Sequence, residues 1–275
     1  MTDPPPRGDE RAADGPEDDD REFRPVLSTG GTLADAAWLA LSRPRTVAPY
    51  LVLAAVVAVV ETVRLRDPVP VAPTTAAGSV LDVSFRAYPD AVRSVTTPPA
   101  ALVGLEPGWL LWTLCVSGVV VVATAAATAT TVVWALDRGS VVRSVPRLAT
   151  YHTSVLTAFA TVALLKPGLG LFFVVVFVAS LYVLVKLFLV PALLVWGRSV
   201  PAAVRISWEQ TGGNRPSLFG LVVLLGLAST LLTNAPGLLG VEVSRRLAAA
   251  AGTAVVGPVH ALAVAHAADR LVDPY

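Results

Sequence analysis

The sequence predicts an all-α, polytopic membrane protein with about six transmembrane helices. Four long stretches contain no Asp, Glu, Lys or Arg: residues 107–136, 167–185, 216–241 and 247–268. Each is about as long as the roughly 20 apolar residues that a helix needs to cross a hydrocarbon layer of about 30 Å. The composition agrees, because only 15% of residues are charged and the mean hydropathy is +0.66, against roughly 25% charged residues in soluble domains.

The first 28 residues are predicted to be a disordered acidic tail. Nine of the 20 acidic residues fall within the first 22 positions, among prolines and glycines. A segment of this composition buries too little apolar surface to fold. It also lacks the basic start, apolar core and cleavage site of a signal peptide. Residues 29–275 are therefore assigned to a helical membrane domain.

Six spans are predicted in this domain: 46–63, 109–135, 152–166, 169–191, 217–233 and 250–267. The second span has Trp109 and Trp112 at one end and Trp134 at the other, which matches the aromatic belts of two membrane interfaces. The third span is the weakest, because only 13 residues separate His152 from Lys166. It must borrow length from the helix before it or fail to cross.

The distribution of Lys and Arg predicts a multi-pass protein of the cell membrane with both termini in the cytoplasm. In that orientation nine basic residues lie at inner span ends: Arg43, Arg45, Arg138, Arg143, Arg147, Arg198, Arg205, Arg215 and Arg270. Five lie at outer ends: Arg64, Arg66, Lys166, Arg245 and Arg246. Residues 64–108 then form an exterior strap, and their seven prolines predict extended or irregular backbone.

A recurring design precedes the first, third and fifth spans. Gly31-Thr32-Leu33, Gly139-Ser140-Val141 and Arg198-Ser199-Val200 each open a segment of about 13 residues. The hydroxyl residue suits a helix N-cap, and Thr32 with Asp35 has the spacing of a capping box. Polar residues share a face in these segments, so we expect helices lying in the inner headgroup layer. The predicted architecture is three repeats of interfacial helix plus helical hairpin.

Four arginines on these helices are candidate inner-face contacts: Arg143, Arg147, Arg198 and Arg205. All four are predicted on one side of the membrane, as a surface that binds anionic lipid or a membrane-protein partner would require. The alternative is that the segments only connect spans.

Lys186 and His260 are the candidate intramembrane polar residues, because an ionisable residue within a span is a functional candidate by default. Lys186 is expected near the inner headgroups, where its ammonium can snorkel; a buried pathway role is the alternative. His260 follows Pro258 and is expected to make an ordinary interhelical hydrogen bond, with a proton relay as the alternative. His260 and His266 lie about 120° apart on a helix, so that helix alone does not build a two-histidine metal site.

Two further patterns concern the first two spans. Glu61 lies near the outer end of the first span and is expected to pair with Arg64 or Lys166. In the second span Ala123, Ala127 and Thr131 form a ridge of small residues. Close helix packing is the expected role of this ridge, and a polar pore lining is the alternative.

The run 191–208, PALLVWGRSVPAAVRISW, resembles a broad group of uncharacterised prokaryotic six-helix membrane proteins. That group is related to the membrane domain of some glycerophosphodiester phosphodiesterases. In it a Pro ends one span, a helix carrying Ser-Val and Ser-Trp follows, and a Gly/Asn/Arg turn leads into the next. The resemblance covers roughly residues 30–270, but Ala267 and Ala268 stand where the group has a Tyr before its Asp-Arg pair. It implies a fold and a location, and supplies no catalytic residues.

Enzymatic function is not expected. The sequence contains no HExxH, GxSxG, GxxxxGK or CxxC motif and no paired acidic residues within a span, so the parts of common hydrolases, ATPases and metalloproteases are lacking. We expect no cofactor, no metal and no nucleic-acid partner. The leading hypothesis is a non-enzymatic accessory or scaffold protein, because mid-span polarity is mostly Ala and Thr. The alternative is a small-solute transporter or permease subunit built on repeats.

Overall fold

The computed structural model describes residues 27–73, 88–164, 170–238 and 244–272, which form nine α-helices. The helices are α1 Thr29–Ser42, α2 Ala48–Arg64, α3 Pro107–Leu136, α4 Val141–Leu164, α5 Gly170–Lys186, α6 Val190–Val195, α7 Val200–Gln210, α8 Arg215–Leu238 and α9 Arg245–Leu271. Two short strands, β1 Ala72–Pro73 and β2 Val95–Thr96, pair antiparallel. Residues 1–26 of the predicted acidic tail lie outside the described residues.

Five helical segments are long and apolar enough to cross a membrane, so the chain has the build of a multi-pass helical membrane protein. They are Pro44–Arg64, Pro107–Leu136, Val174–Val195, Arg215–Leu232 and Arg245–Leu271. The predicted third span is not among them. It forms the second half of α4, a continuous helix of 24 residues and thus roughly 36 Å. Within the described residues, the predicted third span is therefore continuous with the predicted interfacial helix before it.

Two of the three predicted interfacial helices are separate elements, α1 and α7, whereas the second is fused into α4. The predicted capping box of α1 is wrong. Ser28 is the N-cap and its hydroxyl accepts from the Gly31 N–H at 3.4 Å. Thr32 is buried and its hydroxyl donates to the Ser28 carbonyl. In α7, Pro201 lies in the first turn, as expected.

Helices α2 and α3 run antiparallel. Near the start of α2 the Tyr50 hydroxyl lies 3.0 Å from that of Thr128 in α3, and at the end of α2 Arg64 donates to Thr113 near the start of α3. We call the end of the bundle that carries α1, α7 and the end of α9 the basic face. The opposite end, where α2 ends and α3 and α9 begin, is the strap face.

Helix α9 is the central helix of the bundle. It contacts α1, α2, α3, α6 and α8, and 67% of its apolar stretch is buried, against 33 to 39% in the other four candidate spans. Glycine permits the close approach of α9 to α2, because a Cβ on Gly257 would overlap the Tyr50 ring and stand 2.5 Å from its Cε1 atom. Small residues at helix contacts serve this purpose in membrane proteins.

Leu27, near the end of the predicted tail, is bonded to the start of α8. Its N–H donates to the Asn214 side chain at 2.8 Å, and its carbonyl accepts from the Ser217 hydroxyl at 2.6 Å. Asp35 then ties α1 to the end of α9, with His266 at 3.0 Å and Arg270 at 3.2 Å. These contacts hold α1 across the basic face.

Candidate intramembrane site

Part of the predicted exterior strap enters the helix bundle. We call residues 88–97 the re-entrant segment. At the strap face, Arg64 donates to the hydroxyl of Thr97. One step deeper, Ser94 donates from its N–H and its hydroxyl to the Glu61 carboxylate, at 2.5 and 2.6 Å. The expected pairing of Glu61 with Arg64 is therefore wrong, because Ser94 bonds to both carboxylate oxygens and Arg64 pairs with Asp67. The alternative partner, Lys166, lies outside the described residues.

The segment continues to about the middle of the bundle. The Val92 N–H donates to the Thr253 hydroxyl at 2.9 Å, and Thr253 lies eight residues, or roughly 12 Å, into α9. Deeper still, the Tyr88 ring packs on His152 of α4 with 4.2 Å between ring centroids. His152 is 11 residues, or roughly 16 Å, from the start of α4 at the basic face. The re-entrant segment thus spans about half of the bundle's thickness.

Asp90 lies in this deepest part, beside a small cavity of about 20 Å³. The lining residues are Asp90, Val92, Leu225, Gly226, Ser229, Val256, Gly257 and His260. His260 is 15 residues from the start of α9 and 11 from its end, roughly 22 and 16 Å along the helix. The cavity is therefore near mid-depth, and it is large enough for one water molecule.

Several titratable side chains surround Asp90. Its carboxylate interacts electrostatically with the Tyr50 hydroxyl and with the His152 ring. His152 is 1% exposed, and its Nε2 atom has no hydrogen-bond partner within the described part of the chain. The His260 ring stacks on Phe188, with 5.9 Å between centroids and 17° between planes. Helices α2, α4 and α9, the turn between α5 and α6, and the re-entrant segment thus bring titratable or aromatic groups to one depth.

Such an arrangement is costly in a bilayer. An Asp at the centre of a spanning helix disfavours insertion by about 2.5 to 3.5 kcal/mol. Irregular backbone at membrane depth is tolerated only where protein covers it or where it lines an aqueous cavity. Here protein covers the backbone, since Ala91 and Val92 are buried. Asp90, the residue before Ala91, borders the cavity. An ionisable group held at this depth is a functional candidate by default.

A second, larger cavity of about 260 Å³ lies nearer the strap face. Its lining residues are Val57, Val60, Glu61, Arg64, Val71, Arg93, Val95, Thr96, Thr97, Leu102, Val116, Ser117 and Val120. Buried charges form part of the wall: Arg64 is held by Asp67 and Thr113, each at 3.1 Å. The cavity combines charged, hydroxyl and aliphatic groups, as sites for small polar solutes do.

An apolar layer separates the two cavities. Val57 and Val120 line the larger cavity and also belong to a cluster of buried apolar residues that includes Tyr50 and Ala91. Ala91 adjoins Asp90 in sequence. In this conformation the apolar cluster therefore closes the way from the larger cavity to Asp90.

Lys186 does not snorkel to the surface. The side chain is 2% exposed, and Nζ donates to the Trp208 carbonyl at 2.7 Å while lying over the Trp208 and Tyr182 rings. The reason is that α7 folds back over the end of α5, where the Ser207 hydroxyl donates to the Lys186 carbonyl. The Lys186 ammonium thus links the end of α7 to α5, away from Asp90 and the side chains around it.

The four candidate arginines all lie at the basic face, on α4, on α7 and on the turn before α7. Arg143, Arg198 and Arg205 are exposed, and Arg205 pairs only loosely with Glu209, at 3.9 Å. Arg147 is half-buried, with Nη1 3.7 Å from the position that a Cβ on Gly197 would take. The structure thus brings these residues to one surface but leaves them apart from the intramembrane site.

Sequence reasoning found His260 but missed Asp90, His152 and Tyr50. No local pattern sets Asp90 apart, because the same strap also holds Asp82 between Leu81 and Val83. No group of three His, Cys, Asp or Glu residues suited to a metal occurs in the described ranges.

Comparison of the chain with protein-family models, with curated proteins and with solved structures finds no match. The resemblance of the run 191–208 therefore stays a prediction.

Proposed function

We propose that the protein is a small-solute transporter or permease subunit. The observation that carries this proposal is the re-entrant segment, which brings irregular backbone and the Asp90 carboxylate to mid-depth. Secondary transporters bind their substrates and coupling ions near the bilayer midplane, on interrupted elements of this kind. The scaffold hypothesis rested on the lack of mid-span polar groups, and Asp90 with His152 and His260 supplies them.

The two cavities suggest the route of the solute. The larger cavity at the strap face is the entry site, and the apolar cluster is a closed gate. The small cavity beside Asp90 is the inner binding site. Opening requires the re-entrant segment to move against α2 and α9, the helices that hold Ser94 and Val92. A rigid bundle with one movable segment is a common form of gating.

We further propose that the chain crosses the membrane six times, with both termini in the cytoplasm. Helix α4 is the span that is added to the five candidate spans. The hydroxyl groups along its exposed side support this. Those of Ser154, Thr157 and Thr161 each donate to a carbonyl four residues earlier, at 2.8 to 2.9 Å. A hydroxyl bonded within its own helix exposes little polarity to lipid. The threefold repeat is part of this proposal, with the second interfacial helix fused to its span.

The test is transport by the full-length protein in liposomes. Solute-induced currents on a solid-supported membrane would be recorded for a panel of amino acids, short carboxylates, sugars and inorganic ions. At least one class should give currents that protein-free liposomes lack. Thr253→Val removes the hydroxyl that holds Val92 and should change the rate several-fold. Its matched control is Thr157→Val, whose hydroxyl bonds only to its own helix.

A second measurement decides the case in which the panel omits the solute. A cysteine at Ala91, in a cysteine-free background, should react with a small impermeant thiol reagent when the gate opens. Absence of currents together with an Ala91 cysteine that is unreactive from both sides would show a sealed bundle and overturn the transport proposal.

The second candidate function is the scaffold, which the exposed arginines of the basic face favour. Trp38 and Leu41 of α1 are 68% and 84% exposed and add apolar groups that suit a headgroup layer. Replacing Arg143, Arg147, Arg198 and Arg205 with Gln should weaken retention of anionic lipid, since each charge contributes about 1 kcal/mol near an anionic surface. Unchanged lipid and protein co-purification at low and high salt, with unchanged topology, would leave these helices as connectors.

A further inference from the structure

We propose that Asp90 and His260 form a proton-binding site, in which one exchangeable proton is shared through a water molecule. The inference rests on the proposed transport function for its purpose, because a proton held at mid-depth can couple solute movement to a proton gradient. The site itself is argued from its own geometry.

The small cavity between the re-entrant segment, α8 and α9 is the basis of the argument. It has one carboxylate, one imidazole and one hydroxyl in its lining, from Asp90, His260 and Ser229. Its volume of about 20 Å³ fits a single water, and a buried water needs two to four polar partners. A water at this place joins an acid and a base that lie on different elements.

The titratable groups that face Asp90 come from three helices and from the re-entrant segment itself. Helix α2 contributes Tyr50 and α4 contributes His152, both of which interact with the Asp90 carboxylate. Helix α9 contributes His260, and Tyr88 precedes Asp90 within the re-entrant segment. The buried residues of α3 at this depth are alanines and threonines, and the Thr128 hydroxyl bonds to that of Tyr50.

The chemical step is a simple transfer. A proton from water forms an O–H bond on the Asp90 carboxylate, which becomes a neutral acid. On release that O–H bond breaks, the proton passes through the cavity water to the His260 imidazole, and the carboxylate is restored. Histidine suits this role because its ordinary pKa lies near neutral pH. Proton and charge are conserved, and no other bond changes.

Infrared difference spectroscopy on the detergent-solubilised full-length protein tests the site without a substrate. Stepping the pH should reveal the carbonyl stretch of a protonated carboxylic acid that is absent from Asp90→Asn. Asp269→Asn is the matched control, because Asp269 is half-exposed at the basic face and pairs with Arg138. His260→Gln should raise the midpoint of the Asp90 band by about one pH unit or more, because a protonated His260 stabilises the Asp90 carboxylate and competes for the shared proton.

Each result bears on one claim. A band that survives in Asp90→Asn, or a midpoint that His260→Gln leaves unchanged, overturns the shared proton. If Asp90→Asn does not fold, Asp90→Glu keeps the acid and should shift the band, and an unshifted band is equally decisive. If Asp90 titrates but no solute gives currents and the Ala91 cysteine is unreactive from both sides, the proton site stands and transport is removed. If solute currents change neither with a proton gradient nor with Asp90→Asn, the proposed proton coupling is wrong and the transport proposal stands.

Discussion

Replacing Gly257 with Ala should destabilise the bundle at the contact between α2 and α9. The new Cβ would overlap the Tyr50 ring, standing 2.5 Å from Cε1 and closer still to Cδ1. Tyr50 is fully buried and cannot swing away into open space. The ring or the helix must therefore shift, and a shift of the ring strains the bond between the Tyr50 and Thr128 hydroxyls.

The magnitude follows from three contributions. Ala is favoured over Gly in a helix by about 1 kcal/mol. An added methyl group in a packed core costs about 1 to 3 kcal/mol, and loss of a buried hydrogen bond costs about 1 kcal/mol more. The net change is about 1 to 3 kcal/mol of destabilisation. At roughly 2 to 4 °C per kcal/mol for a chain of this size, the melting temperature should fall by several degrees.

Thermal unfolding in detergent, followed by tryptophan fluorescence, measures this change. Gly118→Ala is the control, since a Cβ on Gly118 meets no atom within 4 Å, and its melting temperature should stay level or rise. The double variant Gly257→Ala, Tyr50→Ala should be less unstable than the sum of the single variants, because the overlap is gone. Equal melting temperatures for Gly257→Ala and Gly118→Ala would refute the close contact of α2 with α9.

Three further outcomes are expected. In a cysteine-free background, a cysteine at Val103, which is 81% exposed, should be labelled in intact cells by an impermeant thiol reagent. A cysteine at Ser199 should not be labelled, and the reverse pattern would invert the proposed topology. Deleting residues 1–24 should leave the melting temperature unchanged, whereas deleting residues 1–29 should lower it, since the second deletion removes the bonds to α8; equal stability of both would mean that this junction contributes nothing. Asp35→Asn should cost less than about 1 kcal/mol, as exposed ion pairs do, yet speed hydrogen exchange in α1; unchanged exchange would show that other contacts hold α1.

The membrane character of the fold was predictable because it depends on composition alone. Helices α3 and α9 coincide with charge-free stretches, since any helix that long and apolar is suited to a bilayer. The boundary within α4 was harder. Pro146 is expected to interrupt a helix, but at the sixth position of α4 it leaves most of the backbone hydrogen bonds of the helix intact. The start of α1 was missed because Ser28, Thr29 and Thr32 are all hydroxyl residues, and only packing against α8 decides which of them caps.

The candidate site could not be derived from local pattern. Asp90 lies in a proline-rich loop, and such composition suits an exterior strap as well as a buried one. What buries the loop is a set of partners far away in the chain: Thr253 is 161 residues from Val92. A single sequence carries no record of such pairs. His260 was found because it lies in a charge-free stretch, where any ionisable group stands out.

The central position of α9 has a consequence for biogenesis. This helix follows α1 to α8 in the chain, and it completes the walls around α2, α3 and the re-entrant segment. Until it enters the membrane, Val92 lacks the Thr253 hydroxyl and Tyr50 lacks the surface of Gly257. Until then the earlier helices form an incomplete bundle in the bilayer, and the re-entrant segment lacks its contacts with α9. Nascent chains that stall before α9 are thus the natural substrates of membrane quality control, and the insertion of α9 is the step that commits the bundle to its final form.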